Sequence, residues 1–308
     1  MGLVDLRART AQVAAEILGS GATTIIDVGA RWGMEKAWYA LSPLAKLIGF
    51  EPDAEECARL NERRPSLEHY RYVPLALGHQ RGKARLHLTR EPACSSLYPP
   101  CPAMQRRYPA LAVIEPVGTV EVDLVPLDDW ATAEQVNDIT FLKLDTQGSE
   151  LDILRGAERV LQGCVGLEIE VEFSPIYIGQ PLFADIDPFL RERGFVLWRL
   201  SNLTHYGEGS ACLLPRQDSA AFENFEAKFP TGNGRLVWAN ALYFRDYRQV
   251  ADAPDGWRRL LVQAALLAAA GDADAAARCL EACLQRPEAT PQSAQALAEL
   301  ISDLRQPA

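Results

Sequence analysis

Acids that end apolar runs are the residues of this chain best placed to do chemistry. Asp27-Val28-Gly29-Ala30-Arg31-Trp32-Gly33 follows the β-branched stretch Thr23-Thr24-Ile25-Ile26. Glycines there let a backbone approach a ligand closely, and a helix opening after them offers free N–H groups. The spacing is Asp-x-Gly-x-x-x-Gly, and Arg31 stands where the dinucleotide pattern has its second glycine. Glu51 follows Gly29 by 22 residues, a suitable distance for an acid that takes ribose hydroxyls at the end of a second strand. Asp145 ends the run Ile139-Thr140-Phe141-Leu142-Lys143-Leu144. Glu168, Glu170 and Glu172 alternate, so a strand puts all three on one face. On a buried sheet such carboxylates are either paired or line a site.

Three residues are candidates for proton transfer. Asp145 is the first choice as general base, with binding of an amino group as the equal alternative. Glu170, with Glu172 beside it, lies nearer the functional end of its strand than Glu168. His205 sits with Tyr206 in residues 201–207, read as a loop; a His there titrates near neutral pH, and a plain exposed loop His is the other reading. Tyr177 and Gln180 are acceptor-contact candidates by position, and Ser95-Ser96 is read either as a cover or as plain loop. An acidic wall facing substrate is preferred over a metal held by these carboxylates, and no metal is expected. The cysteines at 57, 94, 101, 164, 212, 279 and 283 are odd in number and lack tight zinc spacing, which suggests reduced thiols.

These residues need a scaffold, and the hydrophobic pattern supplies one. Strands are expected at residues 23–29, 46–51, 70–77, 83–89, 119–127, 139–145, 165–173, 195–200 and 235–244. Helices are expected at 34–41, from the N-cap Asp53 to about 64, at 149–161 and at 183–193. Residues 91–117 are proline-rich and read as a long loop. Strand–helix alternation implies an α/β fold whose mostly parallel sheet carries helices on both faces. Ligands then bind beyond the carboxyl ends of the strands, after Asp27, Glu51, Leu77, Asp145 and Glu172.

Past Ala251 the composition turns to Ala and Leu, with helices expected at 257–270, 273–285 and 292–304. The Gly271–Ala276 turn is similar to that between tetratricopeptide helices, but one unit is too few for a solenoid. The division expected is therefore 1–250 for the sheet domain and 251–308 for a helical extension, packed on the sheet or on a second subunit as a homodimer.

Composition narrows the partners. The chain has 308 residues, a net charge of −10 and 48% hydrophobic residues, which excludes wholesale disorder. An acidic chain of pI near 5.0 gains nothing from phosphate counterion release, so nucleic acid is not expected as partner. No apolar run reaches the length of a membrane span, and the start of the chain lacks a signal-peptide layout, so a cytoplasmic protein is expected.

The Asp27–Gly33 motif, Gly49-Phe50-Glu51-Pro52-Asp53 and the downstream Asn61 resemble a class I S-adenosylmethionine-dependent methyltransferase. The block from Phe141 through Lys143, Asp145, Gly148 and Glu150 to Gly156-Ala157 resembles the FkbM family, as do Leu127-Asp128-Asp129 and Leu167-Glu168. The resemblance covers about residues 20–200. It implies a Rossmann-like fold with a mostly parallel seven-stranded sheet, here followed by the helical extension. It implies S-adenosylmethionine as methyl donor, S-adenosylhomocysteine as product, and a hydroxyl of a carbohydrate or secondary metabolite as acceptor in a bacterial cytoplasm. Asp27, Gly29, Ala30 and Gly33 would hold the methionine part, Glu51 the ribose, Asp53 the adenine edge, and Ala76 and Leu77 the adenine face. Asp145 would face the methyl. Two residues depart from the pattern: Trp32 replaces a small or polar residue and is read as packing, and Gln147 stands where many members have Glu, so it is given no catalytic role. The alternatives are a nucleotide-dependent dehydrogenase, which Arg31 disfavours, and a non-catalytic scaffold with a partner-binding tail, which the intact Asp27–Gly33 and Glu51 set disfavours.

Overall fold

The computed structural model describes residues 3–33, 36–63, 70–207 and 234–306. Helix α1 (Leu3–Leu18) precedes β1 (Thr23–Val28), α2 (Lys36–Tyr39), β2 (Ala45–Phe50) and α3 (Ala54–Arg63). Then come β3 (Tyr70–Val73), β4 (Ala76–Leu77), β5 (Gly82–Thr89), α4 (Pro102–Arg107), β6 (Pro116–Val125) and α5 (Leu127–Ala133). The middle continues with β7 (Ile139–Leu144), α6 (Glu150–Arg155), α7 (Glu158–Gly163), β8 (Gly166–Glu172) and α8 (Phe183–Glu192). Strands β9 (Phe195–Tyr206) and β10 (Arg235–Arg245) lead to α9 (Tyr247–Ala251), α10 (Gly256–Ala269), α11 (Ala273–Leu284) and α12 (Pro291–Leu304).

Seven strands form one sheet in the order β3-β2-β1-β7-β8-β10-β9. Its strands pair in parallel from β3 to β8, and β10 runs antiparallel to both neighbours. The central strands β1 and β7 are buried along their whole length, which is why they read as continuous apolar runs. One face packs Ile25, Leu47, Phe141 and Phe244 against α1 and α10–α12 in a single core. The other packs Ile26, Ile48, Leu142 and Ile169 against α5–α8. Helix α1 was not anticipated, although its buried Ala11, Ala14 and Ala15 keep a helical spacing; small residues gave the pattern little weight. Among the described residues, no helix is long and apolar enough to cross a membrane.

A second, three-stranded sheet, β4-β6-β5, stands beside the first. It corrects the expected strand at 70–77. Pro74 has no N–H to give a ladder, the chain turns there, and Ala76 and Leu77 pair with Leu124 and Val125 instead. The loop expected at 91–117 holds α4 and two short 3-10 turns, and buries Met104, Tyr108, Leu111 and Ile114 against Tyr177 and Tyr206. The strand expected to stop at 200 continues as β9 through His205, paired with β10. Cys57, Cys94, Cys101, Cys164, Cys279 and Cys283 are free thiols; Cys212 lies outside the described residues, as does most of the 201–235 segment.

The helix expected over 149–161 is broken into α6 and α7 at Gly156. A Cβ on Gly156 would lie 2.1 Å from the Gly78 carbonyl oxygen, so this contact joins the small sheet to the helix pair. Asp128 braces the same corner: its N–H donates to the Gly156 carbonyl and its carboxylate accepts from the N–H groups of Arg159 and Val160. Gly156→Ala should lower unfolding stability by about 2–3 kcal/mol in urea titrations, the scale for overpacking. Gly82→Ala, where a Cβ meets nothing within 4 Å, should leave stability nearly unchanged.

Candidate active site

The carboxyl ends of β1, β2, β4 and β7 open into a cleft of about 640 Å³, whose far wall is the β5–β6 pair. Val28, Gly29, Glu51, Asp53, Ala76, Leu77 and Asp145 line it together with Arg31, Ser95 and Gln147. Gly29 adopts φ +84°, and a Cβ there would fall 1.8 Å from the Asp145 carbonyl oxygen. Ala30 is buried, and Gly33 closes the turn at φ +85° by donating its N–H to the Ala30 carbonyl. Trp32 is 49% exposed.

Glu51 is 4% exposed and accepts from the Asp53 N–H at 2.8 Å. Burial pushes its carboxyl up to about 7, while that N–H and the Arg31 guanidinium pull the other way. Arg31 lies 3.7 Å from Glu51 and 3.2 Å from Asp53, so it spans both acids. Sequence reading noticed Arg31 only as a departure from a glycine pattern. Asp53 also caps α3, accepting from the N–H groups of Glu55 and Glu56.

Asp27 is 1% exposed at the end of β1, in register with Lys143 on β7. The Lys143 ammonium lies 3.2 Å from Asp27 Oδ1 and 4.0 Å from Asp145 Oδ2. Burial raises the Asp27 carboxyl and Lys143 opposes that rise. Asp27 Oδ2 is buried without a hydrogen-bond partner among the described residues.

Beyond Asp145 the chain forms a tight acidic turn. Glu150 accepts from the N–H groups of Thr146 and Gly148 and from the Thr146 hydroxyl, at 2.7–3.0 Å. That donor set makes it a structural acid, although burial still lifts it to about 7. Gln147 has φ +59° and Gly148 φ +106°. The Gln147 amide donates 3.0 Å to Asp145 Oδ1 and 2.5 Å to Glu170 Oε2. Burial, then Asp145, raises Glu170; burial, then Glu150, raises Glu172.

The structure thus brings Asp145 and Glu170 together through Gln147, a residue that sequence reading set aside. His205 stands elsewhere, on β9 opposite Leu236, and does not line the cleft. Glu168 faces a separate cavity of about 200 Å³ with Arg199 and Trp38. Tyr177, expected at an acceptor, is fully buried, with its hydroxyl 2.7 Å from the Cys94 carbonyl and 3.0 Å from Gln147 Oε1. Gln180 accepts from the Tyr177 N–H. Ser96 is buried and donates to the Gln147 carbonyl at 2.6 Å, so the 91–117 segment clamps the acidic turn. Among the described residues, no cluster of three or more His, Cys, Asp or Glu has metal-binding geometry.

The family model described as the methyltransferase FkbM domain matches residues 27–197. The 2-O-methyltransferase NoeI of Sinorhizobium fredii is 26% identical over 168 residues, covering 53% of this chain and 69% of NoeI. Among solved structures, a Pyrococcus horikoshii protein with a suggested RNA methyltransferase role covers 78% of this chain and 84% of its own, at 11% identity and TM-score 0.31. The 23S rRNA methyltransferase ErmE covers 95% of this chain and 96% of its own, at 11% identity and TM-score 0.29. The family match spans both strand-end motifs, the Asp27–Gly33 turn and the Asp145–Glu150 turn, and more than half of the sequence: the chain belongs to the FkbM methyltransferase domain family.

Proposed function

We propose that the protein is an S-adenosylmethionine-dependent O-methyltransferase that acts on a hydroxyl of a carbohydrate or a small secondary metabolite. The observation that carries this reading is the cleft itself, lined by the buried Glu51 and by Asp145, which Gln147 links to Glu170. Its volume is in the range of sites that enclose a small ligand. The residues fit the cofactor: the orphaned Asp27 Oδ2 suits an ammonium group, and Glu51 suits paired ribose hydroxyls. Ala76 and Leu77 offer an apolar face for a base, and Arg31 and Asp53 lie at its edge.

When bound, S-adenosylmethionine supplies a methyl group on a positively charged sulfur. The chain must then place a hydroxyl in line and take its proton. Asp145, on the cleft lining, is the carboxyl placed to do so, with Glu170 linked to it through Gln147. Oxygen as acceptor atom is supported by the relative's name, 2-O-methyltransferase. We assign residues 1–250 to the activity and 251–308 to a helical support that covers one sheet face.

Calorimetric titration with S-adenosylhomocysteine should give micromolar binding, and Glu51→Gln should weaken it by about 2 kcal/mol, the scale for hydrogen bonds to a charged group. No binding to the parent protein would overturn the cofactor reading. The same substitution has an opposite effect on the ligand-free fold. Folded Glu51 holds its proton up to about 7, above the ordinary 4.5, so its contribution to stability is complete below 4.5 and is lost as pH rises toward 7. Glu51→Gln should therefore unfold about 2 kcal/mol harder than the parent at roughly pH 8, with the difference gone near pH 4.5. Mass spectrometry of a panel of sugars and phenols, with amines as controls, should find a single added methyl on hydroxyl acceptors; methylation confined to amines would refute the choice of oxygen.

A further inference from the structure

The acidic turn has a constraint that the proposed reaction alone does not explain. Asp27, Asp145, Glu150, Glu170 and Glu172 crowd around the ends of β1, β7 and β8. Among the described residues, the cation within ion-pair distance of this group is Lys143, and it is already engaged with Asp27. Asp145 and Glu170 both accept from the Gln147 side-chain nitrogen, at 3.0 and 2.5 Å, and like charges brought this near favour keeping one proton between them. Tyr177 and Cys94, which also face Glu170, are neutral groups held that way by burial.

Gln147 is held in a strained pose that serves these two carboxyls. A non-glycine residue at φ +59° costs about 1–3 kcal/mol and persists only where its surroundings fix it. The surroundings do so here: Ser96 holds its carbonyl, and Tyr177 lies against its side-chain oxygen. The result is one amide nitrogen with a proton aimed at each of Asp145 and Glu170. A Glu in that pose would present an acceptor to two acceptors.

We propose that Asp145 and Glu170 form a carboxyl pair that shares a single proton in the ligand-free protein, oriented by Gln147 as a positioning residue, and that this proton is expelled when a positively charged methyl donor binds. The step is a simple ionisation: one carboxyl O–H bond breaks, the proton passes to solvent, and the electron pair stays on oxygen. The emptied pair then has room for the proton of an acceptor hydroxyl. The base is therefore made ready by the donor's charge and stays occupied without it. This inference rests on the cofactor reading above and adds a linkage to it.

The test is calorimetry of the full-length protein at about pH 7 in buffers of different ionisation enthalpy, which counts protons released on binding. S-adenosylmethionine carries the sulfonium charge; S-adenosylhomocysteine lacks it and keeps the same amino-acid and nucleoside parts. Glu51 contributes the same partial release with both ligands, so we expect about one proton more with the former than with the latter. Glu170→Gln should abolish the difference. Gln147→Met, of similar size but without the donor, should move the midpoint of proton release up by about one pH unit, whereas a merely structural role would weaken both ligands alike and leave the midpoint in place. Binding of both ligands with equal release, or with none, overturns the shared proton and leaves the cofactor reading intact. Failure of both ligands to bind overturns the two together.

Discussion

The site is built around a place where two strand ends touch backbone to backbone. Gly29 leaves β1 at φ +84° with no space for a side chain against the Asp145 carbonyl, and the Asp145 N–H donates to the Val28 carbonyl at 3.0 Å. The N–H groups of Gly29 and Ala30 both reach the Phe50 carbonyl, which ties β2 into the same junction. Gly49 extends it, since the Tyr72 ring of β3 occupies the space a Cβ would take. Backbone contacts therefore tie β1, β2 and β7 together at their carboxyl edge, and Tyr72 packs β3 against β2. That leaves the side chains beyond the lock free to serve a ligand. The turn at 29–33, Glu51 and the turn at 145–150 cannot move apart without breaking the sheet.

Burial sorts the acids at this edge into two kinds. Asp53 and Glu150 each receive local N–H donors and finish a turn or a helix start. The donors of Glu150 tie it into the fold, while Asp53 also lines the cleft beside Arg31. Asp27 and Glu51 are only partly satisfied: Asp27 keeps an oxygen without a partner, and Glu51 receives one backbone donor. Glu170 meets an amide that it must share with Asp145. A buried carboxyl short of donors is costly, and a fold that tolerates several at one edge concentrates that cost where a ligand can offset it. The acids whose donors are missing are the ones proposed to meet the ligand, and Glu51 among them lines the cleft.

Much of this was legible in the sequence because the scaffold is made of simple signals. The central strands are fully buried and show up as apolar runs, and each ends on the acid or glycine that matters: Asp27 with Gly29, Phe50 with Glu51, Leu144 with Asp145. The three helices near the C-terminus were visible from their Ala and Leu content. What was hidden depends on contacts distant in sequence. The small sheet exists because Ala76 and Leu77 find Leu124 and Val125, nearly fifty residues on. The break at Gly156 exists because Gly78 lies against it. The proline-rich segment is ordered because Tyr177 and Tyr206 bury its apolar residues. His205 illustrates the converse. Its residue type suggested chemistry, but β9 runs on past the expected stop and leaves it paired at the sheet edge, away from the cleft.

Gln147 was the hardest residue to read, and the reason is physical. Sequence comparison weighs a residue by its resemblance to its counterpart, and a Gln in place of an acid looks like a loss of function. In the folded chain the relevant property is the direction of a hydrogen bond. The turn places this side chain between two carboxyl groups, so an amide that donates twice suits the position and a third carboxylate would add to the repulsion. The left-handed backbone, the Ser96 clamp and the Tyr177 hydroxyl all converge on fixing that one amide. A fold that invests strain and three separate elements in the orientation of a single side chain has made the spacing of Asp145 and Glu170 a controlled quantity. Proton affinity of a carboxyl pair follows from that spacing and from the donors between them, so the proposed shared proton would depend on the segment at 91–117 and on Tyr177 as well as on the acids themselves.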